Sequence, residues 1–309
     1  MINDYTMGLA FWWGLSGFLA LLTFYLNNSA GDDSADTEPP TDPVDNPDFN
    51  PDDFDTVITG TENADVLLAP VANSAALVGL GGNDSIEGSG LNDFIDAGAG
   101  DDEIFARPGN DTVHGGDGDD RIDGGLGDDQ IFGGDGADAI TGNGNDDTIS
   151  GGAGDDQLSG NRGSDQLLGG DGNDTLSGLD PQEAYARNQI VDEQDGPDTL
   201  EGGQGDDELW LGKDDIGSGG DGADRFIADH RGTLDDGSRD ITDFNRAEDE
   251  LIIFVNEPDA GQSMPEITQE VSDDGADIIV SADGQPIVRL IGEGPGGNVA
   301  LQMVTETPS

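Results

Sequence analysis

The chain of 309 residues contains no cysteine, which excludes disulfides, thiolate metal sites, cysteine nucleophiles and lipidation on cysteine. Basic residues are almost as scarce: 10 Lys and Arg stand against 68 Asp and Glu, a formal net charge of −58. A polyanion of that density repels nucleic-acid phosphates and anionic lipid headgroups, so its expected partners are cations and not nucleic acid. Only two histidines occur, His114 and His230, with no HExxH pair, so a zinc hydrolase would lack ligands. Leu, Ile, Val and Phe together number 68, a share at the border of disorder, while glycine reaches 51. A chain with so little apolar side chain and so much self-repulsion does not fold on burial alone. Something must be bound.

One long uncharged run is present, residues 7–26. As a helix at ~1.5 Å per residue it would span about 30 Å, a bilayer core, so a membrane-spanning anchor is expected over 1–26. A cleaved signal peptide is the competing reading, but Asp4 and the lack of Lys or Arg in the first six residues disfavour it. Residues 27–56 interleave Pro39, Pro40, Pro43, Pro47 and Pro51 with Asp and Asn, and are expected to form a disordered acidic linker.

From Gly79 to Ser177 a nine-residue period holds phase through eleven units. Its sixth position is always aspartate: Asp84, Asp93, Asp102, Asp111, Asp120, Asp129, Asp138, Asp147, Asp156, Asp165 and Asp174. Its eighth is always aliphatic: Ile86, Ile95, Ile104, Val113, Ile122, Ile131, Ile140, Ile149, Leu158, Leu167 and Leu176. Glycine fills the first position nine times and the fourth nine times. An irregular insertion at 178–192 interrupts the series, which resumes with Asp198, Asp207 and, after an eight-residue unit, Asp224. Upstream, Asp65 and Leu67 mark a worn first unit. An acidic linker has no reason to keep an aliphatic two residues after every aspartate. EF-hands need flanking helices that this glycine content forbids, and collagen needs glycine every third residue.

Glycines at positions one, two and four are expected to supply positive φ to a turn, leaving the last three residues as a short strand with one inward aliphatic. Two units then make a coil of eighteen residues whose units stack at ~4.8 Å, and the aspartates line up in two columns. Neighbouring carboxylates at about 5 Å repel by roughly 3 kcal/mol at an effective dielectric of 20. Without cations such a coil should not form. Oxygen-only ligation at flexible loops, by carboxylates and turn carbonyls, favours Ca²⁺ over Mg²⁺. Multiple calcium ions are therefore the expected cofactor.

The units Gly115-Gly116-Asp117-Gly118-Asp119-Asp120-Arg121-Ile122-Asp123 and Gly169-Gly170-Asp171-Gly172-Asn173-Asp174-Thr175-Leu176-Ser177 resemble the RTX, or hemolysin-type, calcium-binding nonapeptide. The resemblance covers roughly residues 60 to 227 and implies a parallel β-roll, secretion or surface display by a Gram-negative-type bacterium, and calcium ligation by the sixth-position aspartates. It also implies backbone carbonyl ligands from the glycine turns, namely Gly82, Gly100, Gly116, Gly118, Gly125, Gly127, Gly134, Gly136, Gly152, Gly154, Gly170 and Gly172. Arg107-Pro108, Asn161-Arg162 and Leu91 depart from the glycine pattern. The stretch 219–226, followed by Ile241-Thr242-Asp243-Phe244, is similar to the end of such arrays.

Beyond 228 the glycine period gives way to alternating runs, with a hairpin expected across Asp283-Gly284. The expected fold class is thus all-β: a parallel β-roll solenoid over 57–227 and a small C-terminal β cap domain over 228–309, preceded by the linker and one N-terminal transmembrane helix. No stretch is left for a catalytic domain, and Asp240 and Asp243 read as turn and cap residues, so no enzyme is expected. The expected function is calcium binding by a non-catalytic, calcium-folded structural or adhesive module. It would sit at the extracellular face, held to the membrane through its N-terminal helix and meeting cell-surface or matrix ligands. The alternatives are a freely secreted, type I-exported protein and, third, an enzyme with its site in the C-terminal part.

Overall fold

In the computed structural model the described residues are 50–179, 196–230, 237–256, 264–293 and 299–306. They form two sheets between which the chain alternates. The first sheet takes Thr56–Thr59, Ala75–Val78, Phe94–Ala99, Thr112–Asp117, Gln130–Asp135, Thr148–Ala153, Gln166–Asp171, Thr199–Gln204 and Ile216–Asp221 in order. The second takes Val66–Leu68, Ser85–Glu87, Glu103–Phe105, Arg121–Leu126, Ala139–Gly144, Gln157–Arg162, Thr175–Ser177, Glu208–Leu211 and Arg225–His230. All these pairings are parallel, each strand meeting the one two units away: Ile140 lies between Ile122 and Leu158, and Ile149 between Ile131 and Leu167. The step widens at the insertion, where Leu167 faces Leu200, and tightens in the next coil, where Leu200 faces Gly217.

The eighth-position aliphatics stack into the core with at most 2% exposure, giving the coil its hydrophobic contribution one side chain per unit. Strands reach further than the last three positions of each unit. Arg121–Leu126, for example, runs through Gly124 and Gly125, alternating so that Ile122 and Gly124 face inward. Pleating therefore puts a glycine beside most of the aliphatics, with Ala97 and Ala106 beside Ile95 and Ile104, and the turn is confined to the three residues that end in aspartate.

Residues after 228 continue both sheets. Arg239–Ile241 adds to the first sheet and is followed by Gln285–Leu290, after which Ile278–Ala282 and Ile267–Val271 close that sheet as an antiparallel meander. Glu250–Asn256 and Leu301–Glu306 extend the second. The hairpin turns at Asp283 and Gly284, both at positive φ (49° and 79°), as a two-residue connection of this kind requires.

The expected N-terminal architecture needs correcting. Among the described residues no helix is long and apolar enough to cross a membrane, and the one helical element there is the 3-10 turn Pro51–Asp53. The described fold is therefore all-β without a transmembrane helix. The run 7–26 lies outside the described residues, and its lack of charge fixed only a length and a hydropathy. Most of the linker and the insertion likewise lie outside them. Residues 50–56, assigned to the linker on composition, instead carry the 3-10 turn and the start of the first strand, because Val57 and Ile58 give Thr56–Thr59 enough apolar character to pair with Ala75–Val78.

Candidate metal centre

The sixth-position aspartates fall into two columns, one on each edge between the sheets. One column is Asp65, Asp84, Asp102, Asp120, Asp138, Asp156, Asp174, Asp207 and Asp224; the other is Asp93, Asp111, Asp129, Asp147, Asp165 and Asp198. Within each, the backbone N–H of one aspartate donates to Oδ1 of the next, as from Asp120 to Asp138 (2.8 Å), Asp129 to Asp147 (2.9 Å), Asp165 to Asp198 (2.8 Å) and Asp174 to Asp207 (2.8 Å). All the sequence-predicted aspartates stand in these ladders, and all but Asp65 are buried, at 3% exposure or less.

Two members were missed. Asp215 accepts from Asp198 N–H (2.9 Å) and Asp249 from Asp224 N–H (3.1 Å), so each extends a column by one step. Neither follows a glycine turn: Asp215 ends Gly212-Lys213-Asp214, and Asp249 ends an Asn245-Arg246-Ala247-Glu248 stretch. Also missed was an outer ladder at the fifth position, which is Asp or Asn in nine of the eleven units. There the N–H of Ala137 donates to Asp119 Oδ1 and that of Asn173 to Asp155 Oδ1 (both 2.9 Å).

The buried carboxylates are half satisfied. Oδ2 of Asp84, Asp102, Asp111, Asp120, Asp129, Asp138, Asp147, Asp156, Asp165, Asp174 and Asp207 is buried and has no hydrogen-bond partner among the described residues. An unmatched buried anion is among the least tolerable features of a fold. Accordingly these carboxyls are pushed up, first by burial and then by the neighbouring aspartates, against the lowering effect of the backbone N–H each accepts. The values reach about 6 for Asp102, Asp129, Asp138, Asp165 and Asp207, about 7 for Asp156, and about 8 for Asp111, Asp120 and Asp147. Asp84, Asp174 and Asp224 are raised for the same first reason.

Glycine serves two different purposes around them. A Cβ on Gly133, at position one, would come within 2.2 Å of Asp138 Oδ2; on Gly151, within 2.1 Å of Asp156 Oδ2. In nine of the eleven units that position is glycine, where the carboxylate crowds the side chain's space; Ala97 and Ala106 stand there in the other two, and the position does not supply the positive φ expected of it. Positions two and four do: all twelve glycines proposed as carbonyl donors have φ between 98° and 145°. Their carbonyls point along the stack, so that a Cβ on Gly134 would meet Gly116 O at 2.0 Å and one on Gly136 would meet Gly118 O at 2.2 Å. At five of the departures from glycine the backbone holds the same conformation, Leu80 (79°), Arg107 (79°), Asn143 (83°), Asn145 (85°) and Asn161 (68°), the first two against their own preference, whereas Ser89 and Leu91 do not.

Four turns solve the charge differently, that of Asp249 through Asn245 N–H, which donates to its Oδ2 (2.6 Å). In the unit of Asp65, Thr61 N–H (2.6 Å) and Oγ1 (2.8 Å) donate to Oδ2. In that of Asp93, which has Leu91 at position four, Ser89 N–H donates to Oδ2 (2.5 Å) and its hydroxyl to Oδ1 (3.1 Å). In that of Asp215, Gly212 N–H donates to Oδ2 (2.5 Å).

A divalent cation fits this donor set. Buried carboxylate oxygens without donors stand under turns whose stacked carbonyls leave little room for a Cβ at most positions, and all the atoms are hard oxygen. No group of three or more acidic or histidine side chains that could hold a metal occurs among the described residues, so backbone carbonyls must complete any such site.

The histidines do not join it. His114 stacks on Phe132 with ring centroids 4.9 Å apart and 12° between planes, and its pKa is lowered by burial. His230 ends the strand Arg225–His230. Asp240 pairs with Arg289, and Asp243 accepts from Ser218 Oγ and from the N–H groups of Gly219 and Gly220 (2.7–3.0 Å).

A family model for the RTX calcium-binding nonapeptide repeat (4 copies) matches residues 78–113, 105–140, 141–176 and 194–226. Among solved structures, the chain is similar to the AlgE6R3 subunit of the Azotobacter vinelandii mannuronan C5-epimerase, at 30% identity over 46% of this chain and 74% of that one, with a TM-score of 0.19. It is also similar to the extracellular lipase LipA of Serratia marcescens, at 20% identity over 71% of this chain and 38% of that one, with a TM-score of 0.20. No curated protein matches. At these TM-scores neither structure carries an argument about this chain.

Proposed function

We propose, from the membership of residues 78–176 and 194–226 in the RTX calcium-binding nonapeptide repeats, that the aspartate columns hold calcium ions between successive turns and that the protein is a non-catalytic structural module outside the cell. The observation that carries this reading is the row of buried, donor-free Oδ2 atoms beneath glycine turns. The ligands are the sixth-position aspartates whose Oδ2 has no protein donor, together with the carbonyls of the position-two and position-four glycines. Bound calcium supplies the positive charge that the buried carboxylates otherwise lack. The chain's own part is to fix Oδ1 by the backbone ladder, leaving Oδ2 aimed at the turn.

The extracellular assignment follows from the ion. Sites of extracellular type have Kd near 10⁻⁴ to 10⁻³ M, far above free cytosolic calcium, so the chain would fold after export. A role as an adhesive spacer is favoured by the polar, acidic outer ladder at position five, which suits a solvated surface. The meander at the end of the first sheet is assigned as the cap that covers the last coil.

Circular dichroism of the whole chain with calcium added and then chelated tests the reading. A β-rich spectrum is expected only with calcium at neutral pH. A spectrum that stays β-rich in excess chelator and does not respond to added calcium would overturn it.

A further inference from the structure

Strand register, rather than sequence spacing, identifies the residue stacked beyond Asp215. Ile216 faces Asp240 and Gly217 faces Ile241, and Asp240 N–H donates to Asp215 O (2.9 Å) in the same way that Gln157 N–H donates to Asp138 O. The neighbour of Asp215 in the next coil is therefore Arg239. Every earlier step of that column from Asp93 onward puts an aspartate in this slot, and here a positive charge takes it. Arg239 is buried at 1% exposure, the largest of the fully buried side chains. A guanidinium in such a place requires an anion beside it. Burial raises the Asp215 carboxyl to about 6, against the lowering effect of the Asp198 and Gly212 N–H groups and then of the Arg239 charge.

We infer that Arg239 is a built-in terminal cation of this column, compensating Asp215 permanently and ending the run of calcium sites there. The inference rests on the proposed calcium columns and adds that Asp215, though in register with the ligands, is not one. Its two oxygens have Asp198 N–H and Gly212 N–H, and the charge that calcium would provide is supplied by the chain. Among the described residues the other column ends without a counter-charge. Asp249 has N–H donors on both oxygens, from Asp224 and Asn245, and the register of Leu251 with Leu301 places Val299 next in that stack. Both columns thus close on carboxylates satisfied by protein, but only this one uses an arginine.

The test uses the full chain and calcium alone, with bound ions per chain measured by equilibrium dialysis at saturating calcium and the folding midpoint by β-sheet ellipticity against free calcium. Asp156→Asn, inside a column, is expected to lower the number of ions bound. Asp215→Asn is expected to leave that number at the wild-type value. Arg239→Met is expected to raise the calcium midpoint at least threefold by leaving Asp215 uncompensated. The double variant Asp215→Asn/Arg239→Met is expected to return the midpoint to within twofold of wild type, which keeps the result readable if one single variant folds poorly. Loss of ions in Asp215→Asn matching that in Asp156→Asn, an unchanged midpoint in Arg239→Met, or no rescue in the double variant overturns the inference. A wild-type chain that binds no calcium instead removes the functional reading beneath it.

Discussion

The interior of each aspartate column and its ends hold the same residue type in the same register, yet the two regions treat its charge in opposite ways. At the ends, Thr61, Ser89, Gly212 and Asn245 give Oδ2 of Asp65, Asp93, Asp215 and Asp249 a donor from the protein. In the interior, Asp111, Asp120 and their neighbours keep a bare Oδ2 at 1–2% exposure. The ends are complete without metal; the interior is an anion row awaiting one. Aspartate alone does not make a site. The turn beside it decides whether its second oxygen is spent on the chain or left for a cation.

The largest expected effect comes from this contrast. The interior carboxyls have folded-state values raised from 3.8 to about 6, 7 or 8. A raised carboxyl means that the metal-free coil binds more protons than the unfolded chain, so its stability is full below pH ~4 and is lost as pH rises through those values. In chelator, the β-rich spectrum should be present at pH 4 and vanish between pH 5 and 8. With calcium the dependence reverses, because protons compete with the ion: the calcium midpoint should fall as pH rises from 5 to 8. Circular dichroism along both pH series checks this, and a metal-free coil that is more stable at pH 8 than at pH 4 would break the comparison.

Substituting position one should come next in size. Gly133→Ala places a methyl 2.2 Å from Asp138 Oδ2, and is expected to cost about 2–3 kcal/mol in the calcium-loaded melt. Gly90, at position three of the turn of Asp93 and away from any carboxylate, has nothing within 4 Å of its Cβ position, and Gly90→Ala should stay within about 0.5 kcal/mol of wild type. Equal effects at both sites would mean that the carboxylate does not fill the first-position space.

How much of this could be read from the sequence depends on which signal each part leaves. The strict period exposed the position-six aspartates and position-eight aliphatics, because a coil of fixed length repeats any inward residue at fixed spacing. Asp215, Asp249 and Arg239 were invisible to it, since the coils that hold them are closed by segments of other lengths and only the strand register brings them into line. The mutual repulsion of carboxylates was foreseen, whereas burial, the larger cause of their raised values, required knowing that the carboxylate tucks under glycine. The fifth-position ladder did leave a signal, Asp or Asn in most units, but a less strict one than the sixth position beside it. The uncharged run at 7–26 shows the opposite hazard, a composition signal standing alone without register or periodicity to support it.

An interior isostere should act with opposite sign in the two states. In Asp120→Asn, Oδ1 can still accept Asp102 N–H, now 2.8 Å away, while the buried negative charge is gone. The metal-free coil at pH 8 should gain about 1–3 kcal/mol from losing that charge, and calcium should bind more weakly at the adjoining sites, by about tenfold for each 1.4 kcal/mol lost. In chelator the pH at which the β-rich spectrum is lost should rise in the variant, and that pH series and a calcium titration read the two changes separately. Stabilisation in both states would show that the interior carboxylate contributes nothing to metal binding.

The smallest effect is expected at a protein-satisfied end. Ser89→Ala removes the hydroxyl that donates to Asp93 Oδ1 but keeps the Ser89 N–H donor to Oδ2. Its cost should be about 1 kcal/mol, the net value of one such hydrogen bond, and equal in calcium and in chelator at a pH where both states are folded, because no metal stands at that carboxylate. Thermal melts of the variant under the two conditions check the equality. A loss seen only with calcium would mean that Asp93 ligates an ion after all, and that the division between ends and interior lies at least one turn nearer the N-terminus than the hydrogen bonds place it.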